Sequence, residues 1–134
     1  MGGVAMPPLV FAVAEAGGLG MVGGVMLPPP VLAGMLDDLA ARTRGAFGVS
    51  FLMPFLDRDA VPVAATRARV VEFFHGEPEA ALVDAVHAGG ALACWQVGSL
   101  GEAIAAARAG CDLVVAQGTE AGGHVRGQSV SCPC

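Results

Sequence analysis

No lysine occurs anywhere in the 134 residues; all seven basic side chains are Arg. That absence removes Schiff-base and pyridoxal-phosphate chemistry, which need a lysine amine, and the Walker-type loop, whose lysine reaches the phosphates. Cationic charge is scarce and scattered as well. With a formal net charge of -5 and a pI near 4.9, no basic stripe exists to neutralise a nucleic-acid backbone, and no nucleic-acid partner is expected. The four cysteines, Cys94, Cys111, Cys132 and Cys134, show neither the spacing of a secreted disulfide framework nor paired Cys-x-x-Cys clips. Cys132-Pro133-Cys134 reads as a frayed end rather than half a metal site, and no metal is expected.

Long uninterrupted apolar runs are missing too. The first cation is Arg42, and the apolar N-terminal stretch is broken by Glu15, several glycines and Pro28-Pro29-Pro30. Neither a signal peptide nor a spanning helix of about 20 apolar residues fits, so a cytoplasmic location is expected and no membrane association.

What is present is a hydrophobic content of 54% against 14% charged residues, enough for one domain with a buried core. Continuous apolar runs at 19–25, 47–53, 70–74, 91–97 and 113–117 read as strands, and the intervening 7–16, 31–41, 61–67, 79–88 and 100–109 as helices. Several helices open with Pro and close near Gly, the usual capping asymmetry. Apolar strands without alternation imply burial on both faces, hence an α/β fold with a mostly parallel sheet. A doubly wound sheet would carry a G-x-G-x-x-G turn after its first strand, whereas Gly17-Gly18-Leu19-Gly20 precedes a strand and reads as a helix C-cap. A TIM-type (β/α)8 barrel takes about 250 residues; the chain is expected to hold roughly its first five to six βα units, with the first strand missing. Met1-Gly2-Gly3 and residues 120–127 then become loops of the C-terminal, catalytic face.

The segment from Val114 to Gly127 combines a strand, expected to be buried, with a glycine-dense loop and one imidazole. Gly122 and Gly123 allow backbone to approach a flat ligand, and His124 is the nearby side chain able to exchange protons near neutral pH.

With Met1-Gly2-Gly3-Val4-Ala5, Ala16-Gly17-Gly18-Leu19-Gly20 and Phe47-Gly48-Val49-Ser50, this segment resembles the nitronate monooxygenases, formerly 2-nitropropane dioxygenases, which are FMN-dependent barrels. The resemblance runs to Gly127, implying an incomplete FMN-binding barrel domain over 1–127 and a non-matching tail over 128–134. It implies that His124 is the catalytic histidine and that Met1, Gly2, Gly122 and Gly123 line the flavin, with Gln96 and Gln117 facing the ring. Ser50 stands where many members have Asn, so its hydroxyl reaches the flavin differently. Gln96 stands where some have Lys, which removes a cation from the flavin edge. The implied reaction oxidises an alkyl nitronate, or its nitroalkane, with FMN and dioxygen to a carbonyl compound and nitrite. A flavin-dependent enoyl reductase of fatty-acid synthesis and an inactive barrel fragment, with self-association through unpaired strand edges, are the alternatives.

Among the other candidates, His75 at the end of the 70–74 run should point to the catalytic face, with an imidazole bonded to backbone as the equal alternative. His87 reads as a solvated or packing residue inside a helix. Trp95 could abut the flavin, although core packing accounts for it better. Asp57, Asp59, Glu77 and Glu79 read as solvated loop charges.

Overall fold

In a computed structural model of the chain, residues 4–126 are described, so Met1, Gly2 and the tail from Gly127, with Cys132 and Cys134, lie outside the described residues. The elements run α1 (Pro7–Glu15), β1 (Gly20–Gly23), α2 (Pro29–Arg42), β2 (Phe47–Leu52), a 3-10 turn (Met53–Phe55), α3 (Ala60–Ala65), β3 (Val70–Phe74), α4 (Ala80–Gly89), β4 (Leu92–Val97), α5 (Leu100–Arg108) and β5 (Leu113–Ala116). Prolines in the first turn of α1 and α2 sit where no N–H is needed, and the left-handed Gly90 ends α4. At α5, Ser99 accepts from the Glu102 backbone while Glu102 reaches back to the Gly98 N–H, a variant of the capping box.

All five strands are parallel and ordered β1-β2-β3-β4-β5. A doubly wound sheet reverses its strand order at a switch point; this sheet does not, and its steady progression is that of a barrel wall. Register places Val22, Val49, Val71 and Ala93 in one row, and Phe51, Phe73 and Trp95 in the next. These residues form a single core with Leu32, Leu36, Leu39, Ala64, Leu82, Val86 and Ala106 of the helices, so the helices cover that face. The aromatic row stacks across three strands, with ring centroids 6.1 Å apart for Phe51–Phe73 and 4.9 Å for Phe73–Trp95.

The opposite face, which a closed barrel would turn inward, carries Gly23, Ser50, Glu72 and Cys94 in one row and Gln96 beside Val115 further toward the strand C-termini. Burial on this face is incomplete, since Ser50, Glu72 and Gln96 are half-buried. β5 departs furthest from the expected burial: Leu113, Val114 and Val115 are 43%, 42% and 41% exposed. It is the last strand of the sheet, and no described strand lies beyond it to cover either side.

Candidate active site

The loops that follow β3 and β5 and the first turn of α5, just after β4, meet at one end of the sheet, and charge pairing holds them together. Arg126 donates through Nε to Glu102 at 2.8 Å and through its terminal nitrogen to Glu77 at 2.6 Å. Glu102 is only 13% exposed, so this pair is worth more than a solvated one. Gln117, just beyond β5, engages the same loop through both ends of its carboxamide: Nε2 donates to the His124 carbonyl at 3.1 Å, and Oε1 accepts from the Arg126 N–H at 2.7 Å. Gln117 thus shapes the loop that carries His124.

His124 itself is exposed, and none of its ring atoms has a hydrogen-bond partner among the described residues. Gly122 and Gly123 beside it face open space, and Gly123 has φ +75°, a conformation at little cost only for glycine. The His75 ring lies 5.9 Å from the His124 ring, tilted by 60°. His75 follows the last residue of β3 with φ +65°, which costs a non-glycine residue about 1–2 kcal/mol. Its Nδ1 is enclosed and lacks a partner. The alternative of an imidazole bonded to backbone is therefore not what the structure contains. What holds this turn is the core, because the buried Trp95 indole donates to the Gly76 carbonyl at 3.0 Å. Trp95 belongs to the helix-covered face, as core packing requires.

Ser50 and Gln96 share the inward face, and the side chain of neither has a hydrogen-bond partner among the described residues. Two bare glycines over open space, with unpaired hydroxyl and carboxamide groups on the wall, suit a flat ring with polar edges such as a flavin. Met1 and Gly2, the remaining flavin candidates, lie outside the described residues. Sequence reading passed over Glu72, a half-buried carboxylate in the row of Ser50, although a lone charge within the apolar run Val70–Phe74 was the available signal. It also missed the Arg126 clamp.

Other candidates resolve as structural. His87 Nε2 lies 2.9 Å from Asp112 Oδ2, which also accepts from the Ala93 N–H at 2.8 Å. Glu79 pairs with Arg58 at 2.8 Å. Among the described residues no group of three His, Cys, Asp or Glu could hold a metal, and no helix is long and apolar enough to cross a membrane. A cavity of about 490 Å³, lined by Arg44, Arg67 and Arg69, opens at the N-terminal ends of β2 and β3, away from all these residues.

The comparisons with known proteins agree with this geometry. Residues 56–131 match the family model described as nitronate monooxygenase. The chain is 32% identical over 125 residues to (3aS,4S,5R,7aS)-5-hydroxy-7a-methyl-1-oxo-octahydro-1H-indene-4-carboxyl-CoA dehydrogenase of Mycobacterium tuberculosis, covering 92% of this chain and 35% of that protein. It is 26% identical to a probable nitronate monooxygenase of Staphylococcus aureus, covering 92% of this chain and 45% of that one. Among solved structures, FabK from Thermotoga maritima superposes with a TM-score of 0.88 at 34% identity, covering 97% of this chain and 42% of that chain. Nitroalkane oxidase from Streptomyces ansochromogenes superposes with a TM-score of 0.84 at 27% identity, covering 97% and 47%. The chain thus spans less than half the length of each of these relatives. A five-stranded parallel arc with a histidine-bearing glycine loop at its C-terminal end, matched over more than half its residues, belongs to the nitronate monooxygenase family.

Proposed function

We propose that this chain forms the proton-handling part of an FMN-dependent oxidoreductase that converts alkyl nitronates and dioxygen to a carbonyl compound and nitrite. His124 carries the reading: an imidazole without a hydrogen-bond partner among the described residues, beside two open glycines, on a loop clamped by Gln117 and Arg126. Residues 1–127 would belong to the FMN-binding barrel. FMN, when bound, supplies the electron-accepting ring. Gly122 and Gly123 let that ring approach the backbone, while Ser50 and Gln96 offer hydrogen bonds to its polar edge. His124 accepts a proton from the carbon of a neutral nitroalkane or orients the anionic nitronate, a task suited to an imidazole.

A visible spectrum of the purified chain during FMN titration, followed by nitronate turnover, tests this reading. Saturable binding and turnover are expected, with His124→Ala lowering turnover by about 10²–10⁴-fold. A colourless, non-binding chain would mark it as catalytically incompetent alone, and full turnover in His124→Ala would refute the assigned role. A second reading, flavin-dependent enoyl reduction, is favoured by the likeness to FabK and to the CoA-thioester dehydrogenase, at 34% and 32% identity. A requirement for NADH or NADPH separates it from nitronate oxidation.

A further inference from the structure

We propose that His75 is a second ligand-contacting residue of this site, presenting Nε2–H to the oxygen of the substrate whose carbon proton His124 handles. The proposal deepens the reading above and rests on it.

Two unfavourable features coincide at His75. Its backbone is left-handed, where glycine would be at ease, and its Nδ1 is enclosed without a partner. Such coincidences concentrate where function maintains them. The turn is maintained from below by the Trp95 indole, which holds the Gly76 carbonyl at 3.0 Å, and Phe74 meets the imidazole edge-on with centroids 5.5 Å apart. One ring nitrogen, Nδ1, is thereby enclosed by protein, and the ring lies beside that of His124.

Which nitrogen carries the proton follows from hydrogen-bond accounting. An enclosed N–H without an acceptor is rarer than an enclosed lone pair, so of the two neutral tautomers the surroundings select the one protonated at Nε2. That N–H is a donor beside the His124 ring, at a centroid distance of 5.9 Å. Division of labour follows. When His124 takes the proton from a carbon next to a nitro group, the C–H electron pair becomes the C=N bond and the charge settles on the nitro oxygens. The same step next to a thioester forms a C=C bond and places the charge on the carbonyl oxygen. In either case the product is an oxyanion, and a fixed N–H donor stabilises it.

The test uses ¹⁵N-histidine NMR on the 134-residue chain, titrated with isobutyrate, an unreactive carboxylate with the shape of a branched nitronate. His87→Gln and His75→Phe assign the three imidazoles. The expected result is a His75 ring protonated at Nε2, with both His75 and His124 signals moving on titration. His75→Phe should weaken isobutyrate binding by about 10- to 100-fold, the loss of one charge-assisted hydrogen bond. A proton on Nδ1, or a His75 signal that stays still while His124 moves, overturns the proposal and leaves the proposed function standing. Silence from both imidazoles removes the oxyanion site and both readings with it.

Discussion

Burial, reinforced by the Glu72 carboxylate on the neighbouring strand and by Cys111, pushes the Cys94 thiol up to about 12. Only the thiolate alkylates readily. In the native chain at pH 8, iodoacetamide should therefore spare Cys94 and modify it only in urea, as read by peptide mass spectrometry; rapid native labelling would contradict the burial. Asp112 moves the other way, lowered chiefly by its hydrogen bond to His87 and next by the Ala93 N–H. A carboxyl depressed on folding contributes stability that is present above its unfolded pKa of about 3.9 and is lost as pH falls through the folded value. Asp112→Asn should lower stability at pH 7 by about 1 kcal/mol, since a neutral amide oxygen is a weaker acceptor than the carboxylate for both donors. It should also flatten the decline in urea midpoint below pH 4. At this scale His124, Ser50 and Gln96 stand out as candidates from residue type and position. The left-handed backbone of His75 was not, because nothing in Phe73-Phe74-His75-Gly76 announces it and the constraint comes from Trp95, 19 residues away.

Glycine positions separate what a helix needs from what helix packing needs. A Cβ on Gly34, inside α2, meets nothing within 4 Å, so Gly34→Ala should stabilise by about 0.5–1 kcal/mol. At Gly89, the last residue of α4, a Cβ would collide with the Ala65 side chain and lie 2.7 Å from its carbonyl carbon. Gly89→Ala should destabilise by about 1–3 kcal/mol through overpacking. Urea melts of the two variants check both signs. The loop after β5 gives a third prediction at this scale. Arg126→Gln removes the ion pairs to Glu102 and Glu77 but leaves the core intact. Amide exchange should quicken across 118–126 and the proposed nitronate turnover should fall by about 10-fold or more, through misplacement of His124. Protection in β2 to β4 should be unchanged. Element positions were largely readable, since Pro and Gly punctuate the chain and every expected strand and helix is present within a few residues. Met53 reads as the end of a strand because it continues the apolar run from Phe47, whereas it opens the Met53–Phe55 turn.

Across the whole molecule, the sheet ends at β5, whose Leu113, Val114 and Val115 stay exposed although α5 packs beside the strand. Parallel strands with open apolar edges recruit other chains. The 134-residue chain on its own should associate with rising concentration in sedimentation velocity, and Val114→Lys with Val115→Lys should suppress it. A monomer at every concentration would mean that the edge is protected. The amino-acid pattern alone determined the alternation of helices and strands, their parallel pairing, the loop that carries His124 and the family, because these rest on local composition and short motifs. Strand order, the inward placement of Ser50, Glu72 and Gln96, the Arg126 clamp and the His75–His124 approach were decided only in the tertiary structure. Each joins residues far apart in the chain, 24 and 49 positions for the two arms of the clamp, and their meeting depends on how the sheet curves and which face the helices cover.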